Sequence, residues 1–410
     1  MNHSLLHIVL YIIITLHYIP STYCKTLTIP YQLHYGKYCL NISTYYNNTQ
    51  SFHIIPIDLN KNISLFESLQ STPYTFIGNT TIPLSSITTK QIPVDIISTT
   101  ISFPETSNNN VNNISINLTL FNINSTFTSI QTSQYIGFAL TFNDHSMSVI
   151  HQLKQHGYIN ELSFTFNNGY RYIRELYLGK PPSSLFNKPM NKSTCYINTT
   201  YPYVNWNCKL DYIYFTNYSH NKYNEHTLTY FNTVLYETKV PLSFIHFIKD
   251  VLLYEHFHNN NCKIEETRNA YIQCECGVLY DLGEVSFVMN GFVHAFKIDE
   301  IFDIYEMDLI GEDVCELVII TNRNEDAWVF GIGFMNKYIS VFNYERNEIS
   351  FYSEKIFKDE LTYINEIFIG SIHVIKGNCL LLFMGCLIMV ITMKFNNEKR
   401  FISGFKGNEN

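Results

Sequence analysis

The fold class is most readily inferred from residues 328–352, WVFGIGFMNKYISVFNYERNEISFY. In the second part of this stretch, residues 338–352, aromatic and β-branched residues form two runs on either side of Arg346-Asn347. Runs of this composition that are interrupted by polar residues are typical of strands joined by a turn. The stretch therefore predicts two strands with a turn at Arg346-Asn347.

Similar strand patterns occur through most of the chain before this stretch. Between residues 25 and 145, short β-branched and aromatic runs alternate with polar breaks. Further runs occupy residues 271–274, 284–289 and 315–321. Because β-branched and aromatic residues favour strands, these runs predict a mostly β protein.

Two segments instead show the spacing of apolar residues that is typical of a helix. The first is residues 146–156, where Ser146 is a suitable cap and Gly157 a suitable end. The second follows Pro241, which suits the first turn of a helix. We therefore expect a few helices among the strands.

The composition sets limits on the class of protein. The chain has 410 residues, which suggests two lobes or domains, and 46% of them are hydrophobic, which excludes global disorder. The net charge is −8 and no segment forms a basic domain, so no nucleic-acid partner is expected.

The N-terminal end predicts entry into the secretory pathway. Residues 5–16, LLHIVLYIIITL, are apolar but too short to span a bilayer, and Pro20 follows them. This pattern predicts a signal peptide at residues 1–24, with a buried N-terminal strand as the alternative.

The C-terminal end predicts a membrane anchor. Residues 377–393 carry no charge and reach the lower length limit of a spanning helix, and Lys394 begins a basic flank. The prediction is a juxtamembrane linker at 356–376, a transmembrane helix at 377–393 and a cytosolic tail at 394–410, with a buried core helix as the alternative. The protein would then be a single-pass protein of the secretory pathway or cell surface, and its N-terminal part would be lumenal or extracellular.

Eight cysteines precede the predicted span, and an oxidising compartment makes disulfides the default expectation. Spacing alone leaves their pairing open. Cys274-Glu275-Cys276 and His256-Phe257-His258, near Cys262, lack the spacing of a known zinc site, so neither a metal nor a cofactor is expected.

Glycosylation sequons occur only before residue 220 and predict surface positions if the host attaches glycans. The predicted acceptors are Asn41, Asn47, Asn62, Asn79, Asn113, Asn117, Asn124, Asn191, Asn198 and Asn217.

Five stretches, in order, resemble the pepsin-type aspartic protease family. They are YIGFALTFNDHSMSVIHQLKQHGYINELSFTF (135–166), ELYLG (175–179), YPYVNWNCKLDYIYF (201–215), YIQCECGVLYDLGEVSFVMNG (271–291) and the stretch 328–352. The resemblance implies a mostly β, bilobal pepsin-like fold, with an N-terminal lobe at 25–180 and a C-terminal lobe at 181–355 flanking a long cleft. It also implies that Cys274 or Cys276 pairs with Cys315, and we expect Cys195, Cys208, Cys274 and Cys315 in disulfides.

The chemistry of this family needs two aspartates, one from each lobe, that lie about 3 Å apart and share a proton. Each resides in an Asp-Thr/Ser-Gly motif. Here FHIIPIDLNKNIS (52–64) resembles the first loop and predicts Asp58 as the catalytic residue, but Leu59-Asn60 replace Thr-Gly. We then expect Asn60 to replace the glycine in part, by adopting a left-handed conformation.

The second loop departs further from the motif. VLYETKVPLSF (234–244) lies where it is expected, and Glu237-Thr238-Lys239 is the nearest match. Glutamate is one methylene too long, and a displacement of about 1 Å can cost about 10²-fold in rate. The resemblance also suggests Tyr74 as the tyrosine of a flap hairpin, with a simple strand tyrosine as the alternative.

Three functional hypotheses follow. The first is a membrane-anchored protein with the aspartic protease fold and an eroded catalytic centre, a pseudoprotease that binds a peptide or protein ligand in the inter-lobe cleft. The second is an active aspartic endopeptidase that uses an unconventional Asp58/Glu237 pair. The third is a glycosylated surface or adhesion protein of unrelated β fold.

Overall fold

The computed structural model describes residues 26–354, except for short gaps. The gaps are residues 47–48, 62–63, 68–73, 84–90, 108–109, 124–133, 140–147, 169–173, 187–189, 198–204, 225–226, 310–311 and 323–326. The predicted signal peptide, linker, transmembrane helix and cytosolic tail lie outside the described residues. Within the described part, no helix is both long and apolar enough to cross a membrane.

Strands dominate the described residues, which confirms the prediction of a mostly β protein. The first strands are β1 (Leu27–His34), β2 (Lys37–Tyr46), β3 (Thr49–Asp58), β4 (Leu65–Glu67), β5 (Tyr74–Pro83), β6 (Gln91–Ser107), β7 (Asn110–Ile123), β8 (Ile136–Gly137), β9 (Ser163–Asn167), β10 (Arg174–Leu178) and β11 (Asn191–Tyr196). The later strands are β12 (Asn207–Phe215), β13 (Leu228–Phe231), β14 (Lys239–Pro241), β15 (Cys262–Glu266), β16 (Asn269–Glu275), β17 (Glu284–Met289), β18 (Phe292–Lys297), β19 (Asp303–Leu309), β20 (Glu312–Asn322), β21 (Trp328–Phe330), β22 (Ile339–Asn343) and β23 (Glu348–Ser353).

The helices are short. They are α1 (Val149–Gln155), α2 (Leu242–Phe247), α3 (Tyr254–His258), α4 (Cys276–Tyr280), α5 (Ile298–Ile301) and α6 (Ile332–Met335), with 3₁₀ turns at Ser183–Phe186 and Thr216–Tyr218 and a π-helical turn at Ile248–Leu252. Helix α1 ends at Gly157 as expected, and this glycine has a positive φ of 73°. The expected cap was Ser146, but the helix begins after Ser148, whose side chain makes no capping bond.

The first sheet joins strands from both ends of the chain. Its strand order is β11-β23-β22-β9-β10-β1-β2-β6-β7-β4, with β3 on β2, β5 on β6 and β8 on β3. The hairpin β22–β23 pairs with β9, so residues 338–352 lie in this sheet, and the turn of the hairpin contains Asn347 at a φ of 50°. The sequence predicted a turn here, and a left-handed conformation at a turn suits asparagine.

The second sheet contains only strands from the later part of the chain. Its order is β15-β16-β20-β14-β21-β13-β12-β17-β18, with β19 on β20. Two of its pairs, β13–β21 and β14–β20, are parallel, whereas most others are antiparallel. These parallel pairs align segments that are far apart in the sequence, since Thr229 lies opposite Trp328 and Lys239 lies opposite Ile320.

Two aromatic clusters lie in the core of the described part. In the first, Phe164 stacks on Phe342 at 4.8 Å between ring centroids, and the fully buried Trp206 donates its ring N–H to the backbone oxygen of Phe138 at 2.6 Å. In the second, Trp328 contacts Phe244 at 4.6 Å. Each such pair contributes about 0.5–1.5 kcal/mol beyond its buried area. Both tryptophans are therefore core residues.

Candidate functional site

The first candidate residue, Asp58, ends strand β3. Strand β3 pairs in parallel with β8, so that Ile57 lies opposite Ile136 and Asp58 lies opposite Gly137. Beyond this point the chain turns, and the backbone oxygen of Asp58 accepts a hydrogen bond from Phe138 N at 2.9 Å. The parallel pair thus fixes both the position of Asp58 and the start of the loop that follows it.

The carboxyl group of Asp58 is buried in a mixed environment. The residue is 8% exposed, and its Oδ1 accepts a hydrogen bond from Asn60 N at 2.9 Å. Burial raises the pKa of this carboxyl above its ordinary value, and the Asn60 N–H and the ammonium groups of Lys61 and Lys37 oppose that rise only in part. Burial, and to a smaller extent the charge of Asp58, raise the pKa of the Tyr135 phenol.

A second loop begins at the end of strand β13. Strand β13 pairs in parallel with β21, and its last residue, Phe231, lies opposite Phe330. The next residues along the two segments are Asn232 and Gly331, and Asn232 N donates to Phe330 O at 2.9 Å. A Cβ at Gly331 would lie 2.4 Å from the backbone oxygen of Glu237, so the loop after Asn232 runs directly against this glycine.

These two loops are built in the same way. In each, a strand pairs in parallel with a later segment, and the residue that ends the strand or follows it lies level with a glycine: Asp58 with Gly137, and Asn232 with Gly331. In each, the side-chain oxygen of that residue accepts a hydrogen bond from the N–H two residues ahead, at 2.9 Å for Asp58 and 2.7 Å for Asn232. Asn232 is therefore the counterpart of Asp58.

A hydroxyl group joins the two loops. Thr233 follows Asn232 and is fully buried, and its Oγ1 donates to the backbone oxygen of Ile57 at 2.6 Å. Its own backbone oxygen accepts from Tyr38 N at 3.0 Å, so strands β2 and β3 both hold it. Leu59 occupies the corresponding position of the first loop. It is fully buried and has no hydroxyl group that could donate a second hydrogen bond between the loops. The connection therefore depends on one side chain instead of two.

The predicted partner Glu237 is not the residue whose position in its loop matches that of Asp58. It is five residues past Asn232 and lines a cavity of about 370 Å³ together with Thr238 and Phe302, among others, but not with Asp58. The sequence prediction selected it because it is the only carboxylate near the expected motif, whereas the parallel register selects Asn232. The signal in the sequence was Asn232-Thr233 directly after the strand LTYF (228–231), because this pair differs from Asp-Thr only by an amide.

Two other predicted features of the site have separate outcomes. Asn60 lies outside the left-handed region, so it does not act as a substitute for glycine in the way the sequence suggested. Tyr74 begins strand β5 and pairs with Thr99 of β6, but its side chain is outside the described part, so its role as a flap residue stays a prediction.

The expected cysteines are all in disulfides. Cys195 pairs with Cys208, Cys276 with Cys315, and Cys274 with Cys262, so Cys276 is the partner of Cys315 where the sequence had left two candidates. Cys39 is buried and free. No group of three or more His, Cys, Asp or Glu among the described residues is arranged to hold a metal ion.

Of the sequon asparagines, four have described side chains. Asn41 and Asn117 are exposed on strands, and Asn191 is partly buried. Asn217 uses its side-chain N–H to bind the backbone oxygen of Asp281 at 2.7 Å, which a glycan on that nitrogen would disturb. The other predicted acceptors, Asn47, Asn62, Asn79, Asn113, Asn124 and Asn198, lie outside the described side chains.

Comparisons with known proteins agree with this architecture. A family model described as eukaryotic aspartyl protease matches residues 105–353. Among solved structures, the chain is similar to an aspartic proteinase from Irpex lacteus, with a TM-score of 0.56 and 11% identity over 80% of this chain and 97% of that one. It is also similar to Basic 7S globulin from soybean, with a TM-score of 0.59 and 13% identity over 81% of this chain and 97% of that one. No curated protein matches the sequence.

Proposed function

Because the chain belongs to the eukaryotic aspartyl protease family, we propose that it is a pseudoprotease whose inter-lobe cleft binds a peptide or protein segment without cleaving it. The observation that carries this proposal is Asn232, which stands where the second carboxylate of the pair is required. The loops keep the architecture of the site but not its acid–base pair.

An aspartate opposite an asparagine cannot perform the family's chemistry. That chemistry needs one carboxylate that accepts a proton from water and one carboxylic acid that donates to the scissile carbonyl. A carboxamide donates N–H hydrogen bonds but does not ionise near neutral or acid pH, so it cannot act as a general acid or base. Asp58 alone can therefore polarise a water molecule, but it has no acid partner.

The loss of chemistry does not require a loss of the binding surface. The inter-lobe bond of Thr233 and the parallel pairs at both loops are kept, although the second carboxyl is gone. Hydrogen bonds and pockets along a cleft bind an extended peptide whether or not a catalytic pair is present. A globulin among the similar structures, alongside a proteinase, fits a fold that serves more than hydrolysis.

Membrane anchoring belongs to the same proposal. The uncharged segment at 377–393 and the basic flank after it support a single-pass topology with the described part lumenal or extracellular. The three disulfides support an oxidising compartment. Exposed Asn41 and Asn117 are the sequons whose positions best support glycosylation.

The other two hypotheses are less well supported. An active enzyme with an Asp58/Glu237 pair needs both carboxylates at the floor of one site, but Glu237 lines a cavity that Asp58 does not line. A surface protein of unrelated β fold is excluded by the family match.

The test combines turnover and binding on one preparation. The full-length chain is incubated with a diverse library of quenched fluorescent peptides from pH 3 to pH 7, with and without pepstatin. We expect no cleavage, while peptides that bind are detected by fluorescence polarisation and are recovered intact. Cleavage that pepstatin inhibits and that Asp58→Ala abolishes would refute the proposal.

A further inference from the structure

The cavity that Glu237 lines is strongly acidic, and we infer that it binds a primary amine carried on an aliphatic stem, as in a lysine side chain. Four carboxylates line it, those of Glu237, Asp299, Glu300 and Asp303, against one ammonium group, that of Lys337. The inference concerns a different place from the two matched loops, so it does not depend on whether the protein cleaves peptides.

The chain itself shows how this cavity holds an ammonium group. Lys337 Nζ donates to Glu300 Oε2 at 2.8 Å and to the backbone oxygen of Ala295 at 2.7 Å. The same nitrogen lies 4.2 Å from the centroid of the Phe296 ring, which is a cation–π contact. One wall of the cavity thus already binds a cation by a carboxylate, a carbonyl and an aromatic face.

The other three carboxylates have no such partner. Among the described residues, no lysine, arginine or histidine lies within ion-pair distance of Glu237, Asp299 or Asp303. They line one cavity, and the pKa of the Tyr305 phenol, which is hydrogen-bonded to Asp303, is raised by the charge of Asp303 and, to a smaller extent, by that of Glu237. Like charges at close range repel, so a bound cation would relieve the repulsion.

A buried hydroxyl group supplies a second and independent indication of a ligand. Thr238 lines the same cavity, is 2% exposed, and its Oγ1 has no hydrogen-bond partner among the described residues. Buried polar atoms are rarely left unpaired, because each such atom costs free energy. An N–H donor in the cavity would satisfy this oxygen.

The remaining walls set the shape of the ligand. Phe302 is buried, Ile320 is partly buried, and both line the cavity, whose volume is about 370 Å³. The carboxylates of Asp299 and Asp303 belong to exposed residues, so the cavity opens to solvent at a charged rim. An alkyl stem can lie along the apolar wall while its ammonium group reaches the carboxylates. Because no three of these acidic groups converge as metal ligands do, an organic cation fits better than a metal ion.

The experiment measures calorimetric binding of three probes to the full-length chain at low ionic strength. Acetyl-lysine methylamide carries the amine on a peptide unit, n-butylamine carries it alone, and acetyl-norleucine methylamide has the same stem without charge. We expect the lysine probe to bind at least fivefold more tightly than the norleucine probe, and to weaken as salt rises. If n-butylamine binds as well as the lysine probe, the site takes free amines. If only the lysine probe binds, the site recognises a lysine side chain that is part of a peptide.

Variants then locate the site. Glu237→Gln should weaken lysine binding about twofold to fivefold, as expected for one partly exposed ion pair, whereas Glu265→Gln, an exposed acid on β15, should leave it unchanged. Thr238→Val should weaken binding about twofold to tenfold through loss of one hydrogen bond. Equal binding of lysine and norleucine probes, absence of lysine binding, or equal effects of Glu237→Gln and Glu265→Gln would overturn the inference.

Discussion

The loop at residues 58–60 and the loop at residues 232–234 are held by the same backbone arrangement but carry different side chains. The first keeps the acid, Asp58, and has Leu59 where a hydroxyl group is expected. The second keeps the hydroxyl, Thr233, and has Asn232 where an acid is expected. The difference shows that the architecture of such a site can persist after its chemistry is lost, because hydrogen bonds to the backbone do not require a carboxylate.

Truncation of Leu59 should have the largest effect of the changes that probe this comparison. Leu59 is fully buried, so Leu59→Ala removes apolar contacts and leaves a cavity, at a cost of about 2–5 kcal/mol in the free energy of unfolding. Val234→Ala, at the partly exposed position of the other loop, should cost much less. Urea unfolding of both variants gives the comparison. Similar losses would mean that Leu59 is not packed as described.

The buried groups His294 and Asp58 should change the stability in acid in opposite directions, because the pKa of His294 is lowered in the folded state and the pKa of Asp58 is raised. Burial, with a smaller effect of Lys337, lowers the pKa of His294 to about 3. Between pH of about 6.5 and about 3 the unfolded state binds this proton and the folded state does not, so stability falls as the pH falls. The slope is about 1.4 kcal/mol per pH unit, or about 2 kcal/mol between pH 6.5 and pH 5.

Unfolding of His294→Gln against pH measures this contribution. The variant should lose less stability than the parent between pH 7 and pH 5, whereas His246→Gln, at an exposed position, should follow the parent. A parent and a His294→Gln variant with the same pH dependence would show that His294 does not titrate in this way.

Removal of the bridging hydroxyl group should have a smaller effect. Thr233→Val keeps the shape of the side chain but removes the bond to Ile57 O, at a cost of about 1 kcal/mol. Thr216→Val removes a comparable bond to the backbone oxygen of Glu284 at an exposed site and should cost less. Equal losses of stability in the two variants, measured by thermal unfolding, would mean that the bond between the loops contributes no more than an exposed hydrogen bond.

The smallest effect is expected from making the first loop resemble the second. Asp58→Asn keeps an oxygen for the Asn60 N–H, as Asn232 does for Val234 N, and removes a buried charge. Because the pKa of Asp58 is raised in the folded state, the variant should be slightly more stable than the parent at pH 7. The gain should vanish below the ordinary pKa of an aspartate, where the carboxyl is protonated in both states. Asp281→Asn, at an exposed site, should show no such gain, and destabilisation by Asp58→Asn at pH 7 would contradict this explanation.

Local patterns in the sequence predicted much of the fold. The run at residues 284–289 coincides with strand β17, and the hairpin at 338–352 and the helix after Pro241 were also predicted. These elements depend on residue type and turn chemistry within a few positions. The start of helix α1 was less well predicted, because both Ser146 and Ser148 precede it and Ser148, after which the helix begins, makes no capping bond that could single it out.

The two loops of the candidate site differ in how much local signal their sequences carry. Asp58 follows a recognisable strand, but Asn232 depends on the parallel pairing of β13 with β21, which lies about 100 residues further along the chain. Such a pairing leaves no local signal. In a chain rich in asparagine, a single asparagine is also weak evidence for a functional position. The sequence prediction therefore chose the carboxylate of Glu237, whereas the strand register favours Asn232.

The pH titration of the Asp58 carboxyl by ¹³C NMR is the most direct test of the central claim, which is that Asn232 and not Glu237 faces Asp58. The resonance is assigned by its loss in Asp58→Asn. We predict that Asn232→Asp shifts the titration of Asp58 strongly and makes it two-step, because two close carboxyls share a proton, while Glu237→Gln leaves it unchanged. An unchanged titration in Asn232→Asp, together with a shift in Glu237→Gln, would contradict the account.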